Sequence, residues 1–260
     1  MINRFIKDMK KYFRYSAISA KSQLKAEVAD SYLNWVWWVL DPLCFMLIYS
    51  FIFGYVFNSK EEYLPIFIFI GLSMWDFFNR TMTNSVKIIK NNKAIVSKVY
   101  LPKYILIITK IWVNGFKMMV SFGIVVLMMI VYRVPLSFNI FFFIPILAVL
   151  LLFAFGCATF LLHYGVYVED LSNVVSIGLR FLFYLTGIFY NIEKRIPNWG
   201  GLLNRYNPLA YLLTAMRKSL IYREIPDVKL LLIWFLFSLS ISVLGVRKIY
   251  REENSYVKMI

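Results

Sequence analysis

The chain has 260 residues, 60% of them hydrophobic and 19% aromatic, with a mean hydropathy of +0.66 and a formal net charge of +15. That composition excludes an ordinary soluble domain and belongs to the polytopic membrane class. The basic residues sit in separated loops between apolar runs and form no continuous stripe, which argues against nucleic acid and makes anionic lipid headgroups the expected counter-charge.

Residues 1–35 carry Arg4, Lys7, Lys10, Lys11, Arg14, Lys21 and Lys25 but no short apolar core followed by a small-residue cleavage site, so no cleavable signal peptide is expected. Ala17, Ala20, Leu24 and Val28 recur at three- or four-residue spacing, while Lys21, Lys25 and Asp30 fall mainly on other faces. This pattern predicts an amphipathic helix in the cytoplasmic interface. Tyr32, Trp35, Trp37 and Trp38 then mark the headgroup level, where large rings with one polar edge sit best.

A helical span needs about 20 apolar residues. Six windows are read as spans: 36–57, 64–82, 104–132, 140–164, 171–190 and 229–246. Lys and Arg collect on the cytoplasmic side, which places the N-terminus, the loop holding Arg80 to Lys103 and the 247–260 tail inside, in agreement with an even number of spans. Lys194, Arg195, Arg205, Arg217, Lys218 and Arg223 lie on the expected outer side, in a longer segment that the charge rule governs less strictly. The expected architecture is one all-α membrane domain over 1–260. It has a cytoplasmic interface helix (1–35), spans one to five (36–190), an outer re-entrant segment (191–228), span six (229–246) and a cytoplasmic tail (247–260).

Between the second and third spans, 85–103 (SVKIIKNNKAIVSKVYLPK) is basic and helix-forming. In the third span, Lys110, Asn114, Lys117 and Ser121 are spaced by four, three and four and share one helix face. A lysine facing lipid near the bilayer centre costs roughly 2.5–3.5 kcal/mol on insertion scales, so that face should look at another helix or at water. Lys110 could instead snorkel to the inner interface. Arg180, midway along the fifth span, needs a carboxylate, a carbonyl or a water-filled path.

Trp38, Phe45 and Tyr49 share a face of the first span, and Phe181 and Tyr184 lie three apart in the fifth. Such rings serve sugar stacking as well as lipid contact and helix packing. Cys44 and Cys157 fall inside spans and read as packed thiols, with neither disulfide nor metal site implied. His163 reads as packed, and Glu169 and Asp170 as charges favouring the N-terminus of the fifth span's helix.

In the 191–228 segment, Pro197 and the Gly200–Gly201 pair interrupt the chain. Asn207 suits a helix N-cap and Pro208 the first helical position, ahead of an apolar stripe of Leu209, Leu212, Leu213, Met216 and Leu220. About 14 residues at ~1.5 Å each reach only ~21 Å, too short for a ~30 Å core. A re-entrant or interfacial helix is expected; an outer-surface cap is the simpler alternative. No G-x-x-x-x-G-K-[ST] phosphate loop occurs anywhere, so nucleotide hydrolysis by this chain is not expected.

Four stretches resemble the membrane subunit of type-2 ABC exporters, specifically the permeases of O-antigen, capsule or teichoic acid polymers. They are YLNWVWWVLDPLCFMLIYSFIFGYVF (32–57), GLSMWDFFNRTMTNSVKIIKNNKAIVSKVYLPK (71–103), VYVEDLSNV (166–174) and RYNPLAYLLTAMRKSLI (205–221). The third departs from the family's usual Arg-Asp, having Glu169 and Asp170 instead. The resemblance implies a homodimer with two copies of a separate ABC ATPase, which would bind the ATP and Mg2+; no cofactor is expected on this chain.

It further implies a coupling helix at 87–98, including Lys87, Lys90, Asn91, Asn92, Lys93 and Lys98, with Val99, Tyr100 and Pro102 turning the chain into the third span. A basic helix resting on anionic lipid is the plainer reading of that stretch. The implied cargo is a lipid-linked polysaccharide or teichoic acid polymer crossing the bacterial plasma membrane between the first and fifth spans of two copies. Trp38, Phe45, Tyr49, Arg180, Phe181 and Tyr184 are the candidate path residues, and Asn207 and Pro208 mark the re-entrant segment. The competing readings are a drug or small-lipid exporter and a membrane-embedded glycan or lipid transferase.

Overall fold

The computed structural model describes residues 2–29, 34–59, 61–196 and 198–259. The expectations placed on Asp30, Tyr32 and Pro197 fall outside these residues. Twelve α-helices are found among the described residues, and no strand.

Helix α1 (Ile2–Ala29) packs along α6 (Tyr104–Val131): Phe5 meets Tyr104 with ring centroids 5.2 Å apart, and Phe13 meets Trp112 at 5.8 Å. The predicted amphipathic helix thus spends part of its apolar face on another helix. Helix α2 (Asn34–Phe51) contains Pro42, which removes the donor that the Trp38 carbonyl would otherwise receive. It runs into a π-helical turn at Ile52–Val56.

Helix α3 (Leu64–Val86) is the hub. Ile66, Phe67, Ile68, Phe69 and Ile70 are all fully buried, so consecutive positions face protein on every side of the helix. Around it stand α2, α6, α7 (Phe143–Tyr167), α8 (Leu171–Leu185) and α11 (Pro208–Leu220). Helix α12 (Val228–Lys258) packs chiefly on α7. Two short helices, α4 (Ile88–Asn91) and α5 (Lys93–Val96), follow α3; α9 (Ile192–Arg195) and α10 (Gly200–Tyr206) precede α11.

Among the described residues, four segments are long and apolar enough to cross a membrane: Trp35–Val56, Tyr104–Val131, Phe138–Tyr167 and Val228–Glu253. The other two expected spans differ in instructive ways. Helix α3 has the length, but Asp76, Asn79 and Arg80, none of them buried, dilute its apolarity, and Asp76 and Arg80 pair with each other at 2.7 Å. Helix α8 has only 15 residues, about 22 Å, and ends ahead of Gly187, whose φ of +68° turns the chain where an L side chain would be strained. The sixth helix continues past the expected end at 246, because Ile249 and Tyr256 are fully buried beyond it.

Both chain ends and the 85–103 loop meet at one end of the bundle. Arg4 pairs with Glu253 at 2.6 Å and donates to Tyr100 Oη at 2.5 Å, while Tyr250 donates to Asp8 at 2.7 Å and shares a 2.9 Å bond with Tyr104. The hydrogen bond that Arg4 donates to Glu253 raises the Arg4 pKa further above its already high range, so this joint stays charged. At the other end, Glu61 accepts from Tyr222 at 2.7 Å and pairs with Lys194 at 3.1 Å. Burial and that carboxylate together push Tyr222 above the ordinary phenol range.

Candidate functional site

The 87–102 segment forms α4 and α5, two single turns broken at Asn92, where one helix over 87–98 was expected. Asn92 sits outside both helices, and its side chain donates to the Ile88 carbonyl at 2.7 Å, the local competition with helix geometry that makes Asn a poor interior residue. Ile88, Ile89, Val96, Leu101 and Pro102 are buried, whereas Lys87, Lys90, Asn91, Lys93 and Lys98 point outward. Val99 and Tyr100 are apolar or aromatic yet 58% and 54% exposed. The platform is therefore bolted to the bundle by its apolar side and presents cations with two large side chains to whatever lies beneath.

Its seating is tight. A Cβ on Gly165 of α7 would come within 2.0 Å of the Val86 carbonyl oxygen, so only glycine lets α7 meet the end of α3 there. Lys90 pairs with Glu169 at 3.4 Å, in the turn between α7 and α8. Glu169 thus reaches sideways to α4, and Asp170 occupies the N-cap of α8 with no side-chain cap bond. Through Tyr100 the platform also touches α1 and α12.

The polar face of α6 finds protein partners. Lys110 donates to Gln23 at 2.7 Å, Asn114 to Thr81 at 3.1 Å and Lys117 to Glu27 at 2.5 Å, while Ser121 donates to the Lys117 carbonyl at 3.3 Å. Lys110 therefore bonds within the bundle. His163 is buried against Tyr256, 2.8 Å from its hydroxyl. Cys157 is half-buried, but Cys44 lies exposed on α2, which corrects the expectation of a packed thiol.

The six candidate path residues fall in three places. Phe45 and Tyr49 stack along α2 with centroids 6.3 Å apart, and the ladder continues through Phe53 to Phe57. Phe189, just after α8, lies 4.0 Å from Tyr49 and 5.1 Å from Phe53. On α8, Arg180, Phe181 and Tyr184 are exposed, the last two by 67% and 65%. Arg180 makes no ion pair among the described residues. Trp38 stands apart: its ring meets Phe116 edge-on at 6.2 Å and lies 5.2 Å beneath the Lys117 ammonium. The start of α2 faces α1 and α6 while its end faces the turn after α8, so one nominal helix face meets two environments.

Phe53, Phe57 and Phe189 went unmarked in the sequence reading, although Phe45, Tyr49, Phe53 and Phe57 repeat at strict four-residue spacing. The ladder opens at its Phe57 end into a cavity of about 300 Å³ lined by Phe53, Phe57, Tyr190, Asn191, Lys194 and Arg195. Asn207 caps α11 as expected, accepting from the amides of Leu209 and Ala210 at 3.1 and 3.4 Å, with Pro208 in the first turn. Helix α11 is buried along most of its length against α3, α7 and the Phe138–Phe142 turn.

The residue most clearly missed is Arg217, only 3% exposed. Its guanidinium donates to the carbonyls of Phe67, Gly187 and Ile188 at 3.1, 2.8 and 2.7 Å and lies 3.5 Å from the centre of the Phe67 ring. It joins α11, α3 and the turn after α8.

Comparison with known proteins agrees with this architecture. The ABC-2 type transporter family model matches residues 17–221. The chain is 28% identical over 206 residues to the O-antigen export system permease protein RfbA of Klebsiella pneumoniae, covering 79% of each chain. It is 22% identical over 227 residues to the RfbA permease of Myxococcus xanthus, covering 87% of each. Its identity to the inner membrane transport permease YadH of Escherichia coli strain K12 is 26% over 216 residues, 77% of this chain and 82% of that one. With the family model spanning most of its length, and apolar helices able to cross a bilayer, the chain belongs to the ABC-2 type transporter family, as a membrane permease subunit.

Proposed function

We propose that two copies of this chain form the membrane body of an ATP-driven exporter that moves a lipid-linked polysaccharide across the bacterial plasma membrane. The cargo leaves the cytoplasmic leaflet beside α1 and passes between the α2 and α8 faces of the two copies. Two separate ATPase chains sit under the α4–α5 platform, hold the ATP and Mg2+, and drive the helices through it. In this reading α3 and α8 complete six crossings, α11 is the re-entrant element, and both chain ends are cytoplasmic. A teichoic acid polymer fits the same path.

The observation that carries this reading is the aromatic ladder of α2. Phe45 and Phe57 are exposed at its two ends, Tyr49 and Phe53 between them are half-buried against Phe189, and α8 adds the exposed Phe181 and Tyr184. Sugar rings stack on such faces without demanding one fixed register, which suits a polymer that must keep sliding. The relatives named for O-antigen export support the same cargo class.

The test is export by Tyr49→Ala and Tyr184→Ala variants that keep wild-type abundance and ATPase association. Each should lower export several-fold, and the double variant should nearly abolish it. Unchanged export in the double variant removes the aromatic path from the account.

A further inference from the structure

The polar face of α6 does more than satisfy its own lysines, because it closes one wall of a cavity. A space of about 390 Å³ lies between α1, α2, α3 and α6, and its charged lining is Glu27, Asp41, Asp76, Arg80 and Lys117. Lys117 pairs with Glu27 at 2.5 Å and Arg80 with Asp76 at 2.7 Å. Asp41 is then the lining carboxylate with no ion pair or hydrogen bond among the described residues. Three carboxylates against two cations leave the cavity one negative charge in excess.

Beside it runs a groove of about 780 Å³, walled by Trp38, Trp112 and Phe116 and floored by Ala17, Ala20 and Leu24 of α1. Trp38 belongs to both linings, so a polar chamber and an apolar trough share a wall. Lys21 and Lys25 edge the trough. An unpaired carboxylate within a membrane domain is costly until a counter-charge reaches it. An apolar trough open beside it takes hydrocarbon at roughly 0.8 kcal/mol per buried CH2.

We propose that chamber and trough together bind one aminophospholipid of the surrounding bilayer. Its ammonium hydrogen-bonds Asp41, its phosphate is drawn toward Lys117, Lys21 and Lys25, and an acyl chain lies in the trough. Charge complementarity selects the headgroup. A glycerol headgroup brings no cation to Asp41, and a choline headgroup has no N–H to give it. The trough lies on α1, beside the proposed cargo entry, but its occupant here is the bilayer's own lipid and the assay contains no glycan.

The experiment exposes the full-length protein, purified in detergent, to equal amounts of phosphatidylethanolamine, phosphatidylcholine and phosphatidylglycerol, and reads retained lipid by native mass spectrometry. The site predicts about one phosphatidylethanolamine per chain, favoured about tenfold, which is ~1.4 kcal/mol. Asp41→Asn should erase the preference and Asp41→Glu keep it. Asp41 is exposed and without a partner in the fold, so both variants should melt as the wild type does. Ala17→Trp, on an exposed position of the trough, should lower retention of all three lipids. Free phosphoethanolamine at the same concentration should not displace the bound lipid, since it lacks the chain. Equal retention of the three lipids by the wild type, a preference that survives Asp41→Asn, or displacement by phosphoethanolamine alone would each overturn the proposal.

Discussion

At the residue scale, Arg217 fixes the half of the bundle away from the two termini. A guanidinium offers five donors in a planar fork, and here they meet three carbonyls that belong to no regular helix pairing with α11. Gly71 makes room for it: a Cβ there would lie 2.5 Å from one guanidinium nitrogen. Arg217→Met should destabilise the protein by about 3 kcal/mol, because it leaves buried carbonyls unpaired at about 1–3 kcal/mol each, partly relieved by relaxation. Arg217→Lys should recover less than half of that, since a single ammonium cannot span the fork. Thermal unfolding in detergent measures both, and a melting temperature unchanged in Arg217→Met would show that the three bonds do not hold the fold. The Asn207 cap was legible in sequence because its partners are two and three residues away. Arg217 was not, because Phe67 is 150 residues distant and Gly187 thirty.

At the scale of elements, the platform shows how pattern reading succeeds and where it stops. The alternation of Ile88, Ile89 and Val96 with lysines is visible in the sequence, and the structure buries those three and exposes the lysines. The break at Asn92 comes from one side-chain hydrogen bond that periodicity does not register. The length of α12 was missed for a related reason. A hydropathy window stops at Arg247, while the helix is held beyond it by tertiary contacts of Ile249, Tyr250 and Tyr256. Within the proposed coupling role, replacing Asn91, Asn92 and Lys93 together by Ala should weaken ATPase association about tenfold, or ~1.4 kcal/mol, and lower cargo-stimulated hydrolysis in step. Normal association and normal stimulation in that triple variant would show that the loop does not transmit.

At the scale of the whole molecule, the two ends of the bundle have different jobs. One end gathers both termini and the platform through Arg4, Tyr100, Tyr250 and Glu253, so 87–102 is tied to α1 and α12 as well as to α3 and α6. The other end is stiffened by Arg217 and by Glu61 with its two partners. Between them, Phe45 and Phe57 on the α2 segment and Phe181 and Tyr184 on α8 remain exposed. The all-helical class and the membrane composition were plain from the residues, and the four clearest spans from their hydropathy. The roles of α3 and α8 were harder, since one carries the Asp76–Arg80 pair among its apolar residues and the other ends at a glycine turn. The most direct measurement reconstitutes this chain with its ATPase in vesicles carrying labelled lipid-linked glycan on the outer leaflet, the side from which the externally facing ATPase can load it. Glycan should become protected inside the vesicles only when ATP, both subunits and the Tyr49 and Tyr184 side chains are all present. Protection without the ATPase, or failure to move any lipid-linked glycan while small amphiphiles are moved, would contradict the account.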